Sequence, residues 1–234
     1  MAYTGEAVPG GPAEVRELDA LTIRKASVGP MDNNAYLLTC RRTGAQLLVD
    51  AAAEPDRLLE LVREGSPQAR LDAVVTTHRH RDHLGALASL LAVTGARALA
   101  GADDAQAIAE AADVHAMERL HHGATVPLGD VVLDVVALRG HTPGSIALAY
   151  REPAEAASAG AVPGRTHLFT GDSLFPGGPG RTSGGDDFDS LMDDLEQRVF
   201  GVLPDDTWVY PGHGRDTTLG AERPHLEEWR ARRW

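Results

Sequence analysis

Four side chains that bind metals or move protons fall within six positions. They are His78, His80, Asp82 and His83, in the run His-Arg-His-Arg-Asp-His. Two imidazoles one residue apart can point at one cation, and the Asp-His pair after them can turn toward a second. Imidazole and carboxylate together suit zinc, iron or manganese. Three more residues of these types stand beside a glycine, each after an apolar stretch: Gly140-His141, Gly171-Asp172 and Gly212-His213. Glycine lets the backbone turn sharply and approach a buried ion. Seven ligands are what two ions sharing one carboxylate require. The expected division is His78, His80 and His141 on one ion, Asp82, His83 and His213 on the other, with Asp172 bridging. Hydroxide held between two cations is a strong nucleophile at neutral pH, because the cations lower the pKa of water. A plain polar loop with spare histidines does not account for four ligand-type residues in six positions.

The elements around these residues must aim them at one point. The apolar run from Leu71 predicts a buried strand over 71–76, and Leu84 to Leu91 begins a helix over 84–93. The cluster thus lies on a strand-to-helix loop, where a rigid scaffold can direct side chains. Ahead of it, strands are expected over 21–28, 34–40 and 46–50, then a helix from Glu54 to Gly65. After it come a strand over 96–100, a helix over 103–112, and strands over 125–128, 131–138, 146–150 and 168–170. Residues 152–165 are small and polar and read as an exposed hairpin loop; 176–187 form a glycine-rich loop. An amphipathic helix over 189–200 turns Leu191, Leu195, Val199 and Phe200 inward. A last strand over 207–210 leads to His213, and a closing helix runs over 222–232. Strands followed by helices recur in each half, which suggests two layers of sheet with helices outside. Residues 1–14 are rich in Gly, Pro and Ala and read as a flexible tail, with one domain over 15–234.

Composition narrows the classes of function. Net charge is −12, from 34 acidic and 22 basic residues. That disfavours nucleic acid, which needs a basic stripe, and anionic membranes. A small-molecule substrate is expected instead. Cys40 is the single cysteine, so no intramolecular disulfide can form. The first residues lack the apolar core of a secretory signal, and no apolar run approaches a membrane span. A cytoplasmic protein is expected.

HRHRDH, GHTPGS, TGDSLF and YPGHG occur in that order. Together they resemble the metallo-β-lactamase superfamily, from about residue 18 onward. The resemblance implies an αββα four-layer sandwich with the metals at the edge between the sheets. GHTPGS, TGDSLFPGGPGRT and PGHG are most similar to the glyoxalase II-like hydrolases, which cleave thioesters such as hydroxyacyl-glutathione. Two Zn2+ ions are the implied cofactors, with iron or manganese as alternatives. Asp82 and Asp172 are the implied catalytic carboxylates. Class B1 and B2 β-lactamases carry Cys where Asp172 stands, and Cys40 lies far upstream, so that chemistry is disfavoured. Full glyoxalase II has a further C-terminal helical region that holds glutathione, whereas this chain ends soon after His213. Persulfide dioxygenases share the pattern and the Gly180-Arg181-Thr182 turn. They use one iron on residues matching His78, His141 and Asp172. Hydrolysis of a lactone or another ester is a further alternative within the fold.

Several residues outside the seven have expected roles. Asp50 ends a strand and would brace the 78–83 loop, or else cap a turn. Arg181 and Arg215 lie on loops near the expected mouth, where a guanidinium can meet a substrate carboxylate or pair locally. Tyr36 and the 31–34 loop would wall the pocket. His115, His121 and His122 lack a framing strand end and read as solvent-exposed; His167 and His225 read as structural.

Overall fold

The computed structural model describes residues 3–233. Met1, Ala2 and Trp234, the extremes of the expected tail and domain, lie outside the described residues. Seven strands form the first sheet in chain order: β1 (Glu14–Glu17), β2 (Leu21–Val28), β3 (Asn33–Cys40), β4 (Gln46–Val49), β5 (Ala73–Thr76), β6 (Arg97–Gly101) and β7 (Glu118–Leu120). β1 to β4 pair antiparallel; β4 to β7 pair parallel. Parallel neighbours need a crossover. Helices α1 (Pro55–Gly65), α2 (Leu87–Thr94) and α3 (Ala105–Ala112) supply the three. β5, Ala-Val-Val-Thr, is buried at every position, as a strand covered on both faces must be.

The second sheet contains β8 (Thr125–Leu128), β9 (Val131–Ala137), β10 (Ile146–Arg151) and β11 (Thr166–Gly171). A small hairpin follows, β12 (Leu174–Phe175) with β13 (Gly178–Pro179). Then β14 (Trp208–Pro211) and β15 (Thr217–Thr218) complete the sheet in the order β15-β14-β11-β10-β9-β8. β11 and β14 run parallel, so their ends reach the same edge. Helix α4 (Gly185–Leu195) continues into a wider turn over Glu196–Phe200. The chain closes with α5 (Leu219–Glu222) and α6 (Leu226–Arg232).

Three apolar layers follow from this order. Leu38, Leu47, Val75, Leu133, Leu148 and Phe169 meet between the sheets. Leu48, Leu61, Val74, Leu87 and Ile108 join the first sheet to α1, α2 and α3. Ala147, Leu168, Leu191, Leu195 and Trp229 join the second sheet to α4 and α6. The fold is therefore helix, sheet, sheet, helix, as the motifs implied.

Element boundaries differ from the sequence expectation in places with physical causes. α4 starts at Gly185, four residues before the expected Asp189, because Asp186 and Asp187 suit the positive end of a helix. The closing helix is split between α5 and α6 by a tight turn at 223–225, where Pro224 lacks a backbone N–H. β1 lies across the expected boundary between tail and domain: it is short, polar and at the sheet edge. Ahead of β1, Tyr3 Oη donates to Asp216 at 2.7 Å, so this segment lies on the domain. No helix among the described residues is long and apolar enough to cross a membrane.

Candidate metal centre

The seven ligand-type residues leave the sheets at one edge. His78, His80, Asp82 and His83 follow β5, with residues 81–83 wound into a single tight turn. His141 lies between β9 and β10, Asp172 directly after β11, and His213 just after β14. Backbone bonds stitch the seam: Ile146 N–H donates to Thr77 at 3.0 Å, and Asn34 N–H donates to Gly212 at 2.7 Å. Two glycines are obligatory here. Gly171 has φ +49°, and a Cβ on it would press on Thr77. A Cβ on Gly212 would collide with Asp172 and stand 2.8 Å from His83 Cε1.

The side chains converge in three overlapping groups: His78, His80 and His141; His78, His83 and Asp172; and Asp82, His83 and His213. Within each, the ligand atoms lie within 4.8 Å of one another. Asp172 is the hub. Its Oδ2 is 3.6 Å from His141 Nε2, 3.4 Å from His213 Nε2 and 3.9 Å from His78 Nε2; its Oδ1 is 3.4 Å from His83 Nε2. Asp82 Oδ2 lies 3.3 Å from His213 Nε2 and 3.4 Å from His83 Nε2. Ligand atoms about 2 Å from a shared ion stand at such separations from each other. His78 Nε2, His141 Nε2 and Asp172 Oδ1 are buried with no hydrogen-bond partner. Orphaned buried polar atoms are costly, and a cation satisfies all three. The residues fit divalent metal.

The imidazoles are fixed from behind. His141 Nδ1 faces the Arg181 carbonyl at 2.7 Å, and His213 Nδ1 faces the Met31 carbonyl at 2.9 Å. His83 Nδ1 meets Asp50 at 2.9 Å, and His78 Nδ1 meets Thr77 Oγ1 at 3.0 Å. A carbonyl or carboxylate on Nδ1 places the proton there and turns the Nε2 lone pair toward the centre. Burial and the neighbouring His83 hold His78 well below the ordinary histidine value, and burial lowers His141. Burial also opposes charge on His83, but the carboxylates of Asp50, Asp172 and Asp82 beside it outweigh burial and raise the pKa. The bond from His83 is the largest influence holding Asp82 below the carboxylate range. Burial pushes Asp172 up, yet the adjacent imidazoles of His213 and His83 prevail and hold it well below the carboxylate range.

The structure places the remaining candidates unequally. Asp50 adopts φ +59° and accepts from Thr77 N–H at 2.7 Å and Thr77 Oγ1 at 2.8 Å, besides holding His83. Tyr36 is not a pocket wall. It is 2% exposed because its ring packs edge-on against Phe169 and Tyr210, and its hydroxyl donates to the Pro211 carbonyl at 2.6 Å. Arg181 brings its carbonyl, not its guanidinium, to His141, behind the ring. Arg215 lines another cleft with Pro176, Thr217, Glu222 and Trp229. His115, His121 and His122 are exposed.

Asp104 escaped the sequence reading, and Asn33 was expected only as part of the 31–34 wall. Asp104 is fully buried and accepts from Arg79 N–H and Gly144 N–H at 3.0 Å each, and from Thr142 Oγ1. It ties the His78–His80 loop to the His141 loop. Its place after β6, next to the strand bearing His78, was the available signal. Asn33 Nδ2 donates to Asp82 Oδ2 at 2.9 Å.

Known proteins resemble this chain to different extents. The probable hydroxyacylglutathione hydrolase glo2 of Schizosaccharomyces pombe is 30% identical over 187 residues, 79% of this chain and 65% of that protein. The hydroxyacylglutathione hydrolase of Thermosynechococcus vestitus is 33% identical over 204 residues, 84% of this chain and 72% of that protein. This chain thus spans slightly under two thirds of the yeast relative. The crystal structure of ETHE1 from Myxococcus xanthus superposes with a TM-score of 0.70 at 29% identity, covering 87% of this chain and 82% of that one. TTHA1623, solved in a di-iron-bound form, superposes with a TM-score of 0.66 at 29% identity, covering 85% of this chain and 96% of that one. The family model for the metallo-β-lactamase superfamily matches residues 28–213, from the end of β2 to the last of the seven ligand-type residues, and the chain belongs to that superfamily.

Proposed function

We propose that this superfamily member, a metal-dependent hydrolase, cleaves a thioester of the hydroxyacyl-thiol class. The observation that carries this is Asp172, with carboxylate oxygens 3.4–3.9 Å from four histidines drawn from both sheets. His78, His80 and His141 would hold one ion, Asp82, His83 and His213 a second, and Asp172 both. Two divalent ions, when bound, supply charge that polarises a carbonyl and acidifies water. Zinc is the metal proposed, with iron or manganese as alternatives.

The chain's own residues do the rest. Asn33 Nδ2, on Asp82 Oδ2, fixes the rotation of that carboxylate beside the reaction zone. Asp50, Thr77 and the two backbone carbonyls keep the imidazole protons on Nδ1, away from the substrate. Exposed His80 and half-buried His213 stand at the open side, while buried His78 and His83 form the floor. Cys40 is buried at the far end of β3 from Asn33, so the described site offers no protein thiol to form an acyl intermediate. A thiolate leaves with little protonation, which suits a site whose carboxylates are already ionised.

A second reading has its own observation. The three orphaned buried atoms lie on His78, His141 and Asp172, the residues that match the iron ligands of the persulfide dioxygenases this chain resembles. One experiment separates the two. Purified protein is analysed for metal, then assayed for thiol release from hydroxyacyl-glutathione and for oxygen uptake with glutathione persulfide. Thiol release with two metal equivalents is expected; oxygen uptake with one iron and no thiol release would overturn the hydrolase reading.

A further inference from the structure

Lys25 is the single lysine of the chain, and its side chain is wholly buried. Its ammonium meets three acceptors: Gly214 O at 2.6 Å, Gly5 O at 2.7 Å and Asp216 Oδ1 at 2.7 Å. Three N–H groups and three acceptors leave nothing unmet. Asp216 Oδ2 in turn accepts from Tyr3 Oη at 2.7 Å and Trp208 Nε1 at 2.8 Å. Gly214 follows His213 directly, and Asn34 Nδ2 also donates to its carbonyl at 2.9 Å. The loop bearing His213 is therefore gripped on its far side by a buried ion pair. The third acceptor of that pair, Gly5, comes from the segment ahead of β1. Gly5 has φ +81°, and a Cβ there would stand 2.9 Å from Asp216 Cβ, so the segment fits closely.

We propose that Lys25, capped by Gly5, is a positioning residue for the metal held by Asp82, His83 and His213. The ammonium fixes the Gly214 carbonyl, and through it the direction of the His213 ring. The other ion has no ligand on this loop. Loss of the clamp therefore weakens one ion and spares its neighbour. This rests on the ligand division proposed above.

The test is Co(II) binding to the full chain, followed by equilibrium dialysis and by the visible spectrum. Lys25→Met leaves Asp216 buried without its cation, which can impair folding. Lys25→Met/Asp216→Asn removes both charges, and Gly5→Val, whose side chain would press on Asp216, displaces the cap while keeping both charges. The wild type is expected to bind two ions. In the double variant and in Gly5→Val the second should weaken by about ten- to a hundredfold, the usual effect of losing a group that orients a ligand. The first ion should be unchanged. Leu195→Ala, a distant core variant, should lower the melting temperature and keep both affinities. Double-variant affinities equal to wild type, or both weakened by one factor, would overturn the clamp while leaving the two-ion reading intact. A wild type that binds fewer than two ions would overturn the ligand division and the clamp with it.

Discussion

Asp50 shows how much a single carboxylate controls. It holds Thr77 and His83 at once from a left-handed backbone conformation. Asp50→Asn keeps the shape but weakens the acceptor for the His83 proton. Metal affinity should fall by about ten- to a hundredfold, measured by chelator competition, with circular dichroism unchanged. Asp172→Ala removes the hub and should abolish both metal retention and activity. The seven ligand-type residues were legible because they are tied to short local motifs and strand-end glycines. Asp104 was not, because its partners Arg79, Thr142 and Gly144 lie 25 to 40 positions away. Tyr36 misled for a related reason. An aromatic next to a polar loop looks like a pocket wall, and only the alternation along β3 sends it into the core.

At the scale of elements, the loops after β5, β9, β11 and β14 need the strands to end at one edge. Gly212 is where two of them touch. Gly212→Ala would drive a methyl group into Asp172 and should cut metal content sharply, read by elemental analysis, with a smaller loss of melting temperature. Most strands of this fold were legible from their apolar runs; β1, β7, β12, β13 and β15, which are short, were not. The start of α4 and the break between α5 and α6 were less so, because acidic residues and Pro224 act through the chain ends of a helix. Leu195 on α4 is fully buried between helix and sheet. Leu195→Ala should destabilise by about 2–5 kcal/mol in urea unfolding, the range for a leucine cavity.

The whole molecule carries a second buried polar system at the end of the sandwich remote from the metal loops. His167, at the start of β11, meets Glu152 at 2.9 Å and Tyr210 Oη at 2.8 Å, and Arg16 donates to the same hydroxyl at 3.0 Å. Burial lowers the His167 pKa from 6.5, ahead of the opposing bond to Glu152. The folded chain thus takes up its proton at lower pH than the unfolded chain does. Between the two values the unfolded state binds more protons, so stability is full above about 6.5 and falls as pH drops through that region. Urea unfolding at pH 8 and pH 5 should show the loss, and His167→Gln should flatten the dependence. A variant with the wild-type slope would assign the pH response elsewhere.

Two of the groups that orient the metal-facing imidazoles are main-chain oxygens, those of Met31 and Arg181. Both side chains reach into solvent, and Met31 is 60% exposed. Replacing either one leaves the oxygen where it was. A mutational scan would pass over these positions as neutral. For the same reason the entrance can be rewritten residue by residue to admit new substrates, while the ligand cluster beneath keeps its geometry.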